Sequence, residues 1–384
     1  MADCLEFSLG TKLVLGPGCI EKIKEELESQ GVQHLLVVTD QGIITSGIFD
    51  RIQKILHVGS FSYDVFDNVH PNPDVKQINQ AFHSIKDTTY DSILAVGGGS
   101  VIDTAKALAV LKTNQGEILD YEGRGRFTIP ALPLFVVPTT VGTGSEVTRA
   151  CVISDHNRHR KTIVGGPSLA PRVSFLDAEL VTKLPNKLVA ATAIDALTHA
   201  IEGYVSKKSN LITDALNLYA IKTIASSIRQ GVADRDIDSM NNLLVSSTVA
   251  GIGAGNCSLG LIHAISHAIG GYYNVSHGEI NAILLPHVIK FNWDANPNKY
   301  AEIRQALGHR EINMSVENQR EELVKNLQCF LQEITLPIRL REIGVDHTKI
   351  DKLAAMTFED HYYIASNPRT VELEDIKNIL QLAM

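Results

Sequence analysis

The chain has 384 residues, of which 44% are hydrophobic, enough apolar material for a large core divided between two domains. Its 43 acidic residues outweigh 35 basic ones and leave a formal net charge of −8, which repels nucleic acid. No N-terminal apolar segment and no run of about 18 apolar residues occurs, so neither a signal peptide nor a membrane span is expected. The five cysteines, Cys4, Cys19, Cys151, Cys257 and Cys329, form no C-x-x-C pair. They read as reduced thiols in a cytoplasmic protein.

In chain order, LEFSL from Leu5 and KLVLG from Lys12 flank a Gly10-Thr11 turn and predict a hairpin at a sheet edge. LLVVT from Leu35, SILAV from Ser92, LFVV from Leu134 and VSFL from Val173 follow as short runs rich in valine and isoleucine, separated by helical stretches. That alternation predicts β-α units on a buried, largely parallel sheet. The arginine-glycine stretch from Glu122 to Arg126 reads as a surface loop. The character changes at LVTKLPNK, where Pro185 is the last proline before a long helical region. Downstream, apolar residues recur at helical spacing over 188–206, 213–230, 240–254 and 323–334. The expectation is an α/β domain over 1–183 and an all-helical domain over 184–384.

Two segments of the first half invite a nucleotide. In AVGGGSVIDTAKA, from Ala95, a buried strand runs into three glycines and then a serine that opens a helix. Glycines admit a close ligand and free N–H groups at a helix start favour phosphate, although tight strand-to-helix turns need glycine as well. The spacing matches neither G-x-G-x-x-G nor a phosphate loop with Lys-Ser/Thr. VPTTVGTGSEVT, from Val137, gathers hydroxyls and glycines at the carboxyl end of another strand, the edge where open α/β sheets bind ligands. Asp40 closes the strand that starts at Leu35, where a carboxylate accepts from a ribose diol and repels a 2′-phosphate, favouring NAD over NADP. It is equally suited to capping a turn.

The second half carries a candidate metal site. DALTH spans Asp195 to His199 and HAISH spans His263 to His267, each a one-turn step that puts both polar residues on one helix face. His277 follows in NVSHGEIN. Two such pairs and a third site, His277, within about 15 residues point to a metal more than to scattered core histidines.

Taken in order, GGGSVIDTAK, PTTVGTGSEVT, DALTHAIEGY, HAISH and HGEINAILLPH resemble the iron-containing (group III) alcohol dehydrogenase family, collinearly from about residue 5 to the C-terminus. The resemblance implies a dehydroquinate synthase-like fold, with an N-terminal dinucleotide-binding α/β domain and an all-helical C-terminal domain that binds metal and substrate. By residue-by-residue matching, Asp195, His199, His263 and His277 correspond to the metal ligands, and Asp40, Asn72, Gly98, Gly99, Ser100, Thr139, Thr140, Lys161 and Leu180 to contacts of the nicotinamide cofactor. The implied ion is Fe(II), with Zn(II) as the alternative, because one carboxylate and three imidazoles suit both. The implied activity is hydride transfer between NAD(H) and a small primary alcohol or diol and its aldehyde, in a homodimer or larger homo-oligomer. His267, one turn past His263, is expected to relay a proton or to orient a ligand. Arg149 is a candidate anchor for a charged substrate, and Tyr362 and Tyr363 are candidates for closing the pocket. A zinc-dependent polyol dehydrogenase, a dehydroquinate synthase-like lyase and a catalytically silent binding protein are the alternatives.

Overall fold

Nine strands, all in the first half of the chain, organise a computed structural model that describes residues 6–309 and 314–384. They are β1 (Lys12–Leu15), β2 (His34–Val38), β3 (Ser62–Phe66), β4 (Ser92–Gly97), β5 (Gly123–Arg124), β6 (Leu134–Pro138), β7 (Ala150–Asp155), β8 (Arg160–Gly165) and β9 (Val173–Leu176). One sheet has the order β1-β9-β6-β4-β2-β3, and every neighbouring pair in it is parallel. β4, β6 and β9 are buried along their whole length, as a sheet covered on both faces requires. Alternate residues feed two separate cores. Leu36, Val38, Ile93, Ala95 and Val136 enter one, whereas Leu35, Val37, Leu94, Val96 and Val137 enter the other.

The connection out of β2 leads to the β3 edge, and the connection out of β4 leads the opposite way to β6, so the order switches between β2 and β4. Open α/β sheets bind their ligands beyond the carboxyl ends of such a pair. Here the ends are tied together, since Thr39 Oγ1 donates to the Val96 carbonyl at 2.9 Å.

A second, three-stranded sheet has the order β5-β8-β7, with β7 and β8 as an antiparallel hairpin and β5 parallel to β8. The stretch from Glu122 to Arg126 is therefore no plain loop. Gly123 and Gly125 lie in the left-handed region (φ 105° and 66°), and that backbone lays Gly123 and Arg124 along β8. The edge hairpin expected near the N-terminus is also absent among the described residues. Residues 6–11 form no strand, and β1 pairs parallel with β9, Lys12 opposite Val173 through Leu15 opposite Leu176. Gly10 does not take the positive φ that a two-residue hairpin turn needs, and VSFL supplies a partner of matching length. Leu5 lies outside the described residues, as does Cys4; the other four cysteines are free.

By contact the chain divides into two units, Leu9–Lys183 and Leu184–Met384, the latter also taking in residues 6–8. Among its described residues the second unit has helices and no strand. Its centre is Asn186–Val205, buried at every position from Val189 onward except Thr192. Such all-round burial belongs to a core helix. Leu211–Ala233, Ile237–Cys257, Leu261–Tyr273 and His277–Asn292 follow it in sequence, with Val316–Glu333 and the final Leu373–Ala383 farther on. No single described helix is long and apolar enough to cross a membrane.

Two close approaches set the helices that carry the site. A Cβ at Gly278 would stand 2.2 Å from the Ala191 carbonyl oxygen, so the start of His277–Asn292 meets Asn186–Val205 at backbone distance. A Cβ at Gly260 would lie 3.1 Å from Glu202 Oε1, which puts the start of Leu261–Tyr273 against the same central helix.

Candidate active site

Three helices converge on Asp195. One turn of Asn186–Val205 presents Asp195 and His199, the first turn of Leu261–Tyr273 presents His263, and His277 is the first residue of its helix. The Nε2 atoms of His277, His263 and His199 lie 3.7, 3.8 and 4.0 Å from Asp195 Oδ1. Asp195, His263 and His277 each offer a ligand atom within 4.8 Å of the others. Ligands about 2.1 Å from a shared tetrahedral ion stand roughly 3.4 Å apart, so the three imidazoles need only close by a few tenths of an ångström on Asp195. His199 stacks on His263 with ring centroids 4.7 Å apart, and its Nδ1 is buried without a hydrogen-bond partner. Burial, with His199 adding to it, holds His263 well below the usual histidine range; burial does the same at His277 despite the opposing Asp195 charge. Both are therefore neutral at pH 7, the state in which imidazole ligates. One carboxylate, three imidazoles and an orphaned buried nitrogen fit a divalent cation.

Polar groups around this quartet were not anticipated from the sequence. Asn281 Nδ2 donates to Asp195 Oδ1 at 2.7 Å, and its oxygen accepts from Ser266. Glu202 accepts from His263 Nδ1 at 2.6 Å. Burial pushes the Glu202 carboxyl up to about 7, against the downward pull of the N–H groups of Gly260, Ile262 and His263 and of the neighbouring His199. The available signal was spacing, for Glu202 falls one turn beyond His199, on the ligand face of the helix.

His267 lies next to the quartet, its ring 6.4 Å from that of His263 and 5.7 Å from that of His277. Its Nδ1 stands 3.9 Å from Asp360 Oδ2, and Tyr363 packs edge-on against it at 5.3 Å. Of the two tyrosines, Tyr363 is buried at the histidine cluster, whereas Tyr362 is exposed with the Lys208 ammonium over its ring at 4.7 Å.

The carboxyl edge of the parallel sheet gathers most of the second residue set. Gly98 precedes the Gly99–Leu111 helix as its N-cap, its carbonyl accepting from Val101 and Ile102 N–H, and no side chain caps the N–H groups that come before them. The glycines also serve packing, because a Cβ at Gly98 would come 2.9 Å from Thr140 Cγ2 and one at Gly99 would come 2.7 Å from Thr143 Cγ2. Thr139 N–H donates to the Gly97 carbonyl, and Asn72 N–H donates to Ser100 Oγ at 3.2 Å. Asn72 holds φ 52°, an unusual backbone for a non-glycine residue. The Asp40 carboxylate accepts from Ile43 N–H at 2.9 Å and caps the short helix Gln41–Thr45.

Ser154 N–H donates to the Pro73 carbonyl at 2.9 Å, next to Asn72. The Leu180 side chain belongs to the same buried core as Leu35 and Val37, and Lys161, on β8, donates to that Ser154 through its Oγ at 2.8 Å. Burial lowers Lys161 to about 8 although Asp103 pulls the other way. Lys106, fully buried, donates to the carbonyls of Ser145, Thr148 and Ala150 at 2.6–2.9 Å and so pins the GTGSEVT turn. Arg149 and Ala150 thus belong to a clamped segment that leads into β7.

Comparison with known proteins agrees with this arrangement. The model of iron-containing alcohol dehydrogenases matches residues 10–178, and the model of the C-terminal part of the Fe-containing alcohol dehydrogenase family matches residues 189–384. A lactaldehyde reductase of Escherichia coli (strain K12) is 35% identical over 370 residues, 96% of either chain. An NAD-dependent methanol dehydrogenase of Bacillus methanolicus is 34% identical over 372 residues, 97% of either chain. The crystal structure of a 1,3-propanediol oxidoreductase superposes with a TM-score of 0.95 at 33% identity, covering 100% of both chains. Matched in both halves and along nearly its whole length, the chain belongs to the iron-containing alcohol dehydrogenase family.

Proposed function

We propose that this oxidoreductase transfers a hydride between NAD(H) and a small primary alcohol or diol and its aldehyde, with Fe(II) held by Asp195, His199, His263 and His277. The observation that carries the reading is the ring of three imidazole Nε2 atoms 3.7–4.0 Å from Asp195 Oδ1. When bound, a divalent ion supplies a Lewis acid that favours the alkoxide in oxidation and polarises the carbonyl in reduction. The chain does the rest. Asp195 supplies the one negative charge among the ligands, and His263 and His277, held below the usual histidine range, keep their lone pairs for the ion. His267, beside the quartet and near Asp360, passes the hydroxyl proton outward.

Asp40, Asn72, Gly98, Gly99, Ser100, Thr139, Thr140, Lys161 and Leu180 are assigned to the cofactor. The uncapped start of Gly99–Leu111 receives its diphosphate, and the Asp40 carboxylate disfavours a 2′-phosphate, which selects NAD over NADP. The domain over 1–183 is thereby the cofactor domain and 184–384 the metal and substrate domain. The small substrate and the aldehyde-reducing direction are supported by the names of the relatives, a lactaldehyde reductase among them. Four free cysteines among the described residues support a reducing, cytoplasmic setting. β1, paired on one side only, offers the edge for a homo-oligomer.

The test is anaerobic purification, elemental analysis and NADH absorbance with a panel of short aldehydes. Near-stoichiometric iron, activity lost on chelation and activity restored by Fe(II) are expected. Zinc with a preference for vicinal diols would move the protein to polyol chemistry, and bound ion without hydride transfer would refute the reading.

A further inference from the structure

Glu202 uses both of its oxygens. Oε2 accepts from Gly260 N–H at 3.0 Å and from His263 Nδ1 at 2.6 Å, while Oε1 accepts from Ile262 N–H at 2.6 Å. The helix Leu261–Tyr273 has glycine as its N-cap and no side-chain cap of its own, so its first turn is capped by a carboxylate from the neighbouring helix. A negative charge there also answers the positive end of the helix dipole. The consequence for His263 concerns its proton. To donate to Glu202, Nδ1 must carry the hydrogen, which leaves the lone pair on Nε2, the nitrogen that faces Asp195 Oδ1 at 3.8 Å. Asn281 Nδ2 lies 3.4 Å from that Nε2 and is itself a donor, so it too meets a lone pair there. The glycine at 260 belongs to the same device, since a Cβ would crowd Glu202 Oε1.

We infer that Glu202 is a positioning residue of the metal site: without touching the ion, it seats the Leu261–Tyr273 helix and holds His263 in the Nδ1–H tautomer, and so sets the affinity of the quartet for divalent cations. This rests on the assignment of Asp195, His199, His263 and His277 as ligands. Glutamine at 202 keeps the shape but brings an amide NH2 that must face one of three N–H donors. Turned toward His263, that amide forces the proton onto Nε2, the wrong nitrogen for coordination.

The experiment is Co(II) binding to the full-length apoprotein, read by chelator competition and by the visible ligand-field spectrum, with NADH affinity as a check of folding. Glu202→Gln is expected to weaken Co(II) binding by roughly 10- to 100-fold and to shift the spectrum, with NADH affinity unchanged. Gly260→Ala, which displaces the carboxylate from the other side, is expected to move the Co(II) affinity in the same direction by a smaller factor. A folded Glu202→Gln protein with wild-type Co(II) affinity and spectrum would overturn the inference while leaving the ligand assignment standing. Failure of the wild-type protein to bind Co(II) would overturn the assignment, and the inference with it.

Discussion

His267 and Lys161 show how single side chains are tuned by what surrounds them. His267 packs beside the ligand histidines without joining them around Asp195, and its partners are Asp360 and Tyr363. If it passes the substrate proton, His267→Ala should lose roughly 10²-fold in kcat with its ion content intact, the usual worth of a general acid–base group. Elemental analysis beside steady-state kinetics decides this, and a variant with full ion and full turnover ends the relay idea. Lys161 illustrates a different cost. Burial takes its ammonium to about 8, below the roughly 10.4 of an exposed lysine. The unfolded chain therefore binds more protons than the folded chain between those values, so the penalty borne at pH 7 is relieved as the pH rises through that window. Lys161→Met should accordingly be more stable than wild type at pH 7, by on the order of 2–3 kcal/mol, with the gap closing toward pH 10. Denaturant melts at pH 7 and pH 9.5 read both points. A gap that does not vary with pH would mean that the buried ammonium carries no such cost, whereas a gap that closes alongside weaker NADH binding would mark a charge kept for the cofactor.

Helix-on-helix contact governs the next scale. Gly278 lets His277–Asn292 start against the backbone of Asn186–Val205, and a methyl there meets a carbonyl oxygen at 2.2 Å, which cannot rotate away. Gly278→Ala should therefore push His277 off Asp195, costing about 1–3 kcal/mol in stability and most of the ion affinity. Gly231→Ala is the contrast. Its Cβ would meet the end of the Leu243 side chain at 2.5 Å, a group that can give, so ion affinity should hold. Calorimetry and Co(II) titration of the two variants test the distinction, and a Gly278→Ala protein that binds ions as tightly as wild type would refute it. These elements were unevenly legible. The i,i+4 steps of DALTH and HAISH showed which polar side chains share a helix face because a helical turn has a fixed period, and LLVVT, SILAV, LFVV and VSFL exposed the parallel strands because burial on both faces leaves an unbroken apolar run. β3 was missed because SYDVF sits at the sheet edge, where three of its five residues are exposed and an aspartate is tolerated. β7 and β8 were missed because the hairpin carries charged residues at its tip, Asp155 opposite Arg160. Glu202 and Asn281 were missed because their work depends on partners 61 and 86 residues away in sequence.

At the scale of the molecule, the residues proposed to bind metal belong wholly to the unit Leu184–Met384 and those proposed to bind the cofactor wholly to Leu9–Lys183. The contact boundary falls at LVTKLPNK, where short apolar runs alternating with helical stretches give way to helical repeats alone. Residues 6–8, which lie with the helical unit, had no such signal, because their placement depends on a contact between Ser8 N–H and Asn256 Oδ1 at a separation of 248 residues. If each ligand binds the unit that carries its residues, the two stabilisations should be separable by mutation. A cation at 100 times its Kd adds about 2.7 kcal/mol to a protein that binds it only when folded, and NADH obeys the same relation. Asp195→Asn should abolish the gain from the cation and keep that from NADH. Gly98→Val, whose side chain would run into Thr140, should do the reverse. Neither variant should turn over, because hydride transfer needs both ligands present. Thermal melts of the two variants with each ligand alone are the measurement. Loss of NADH stabilisation in Asp195→Asn, or of cation stabilisation in Gly98→Val, would show that one ligand's site depends on the other unit and would defeat the assignment of one ligand to each unit.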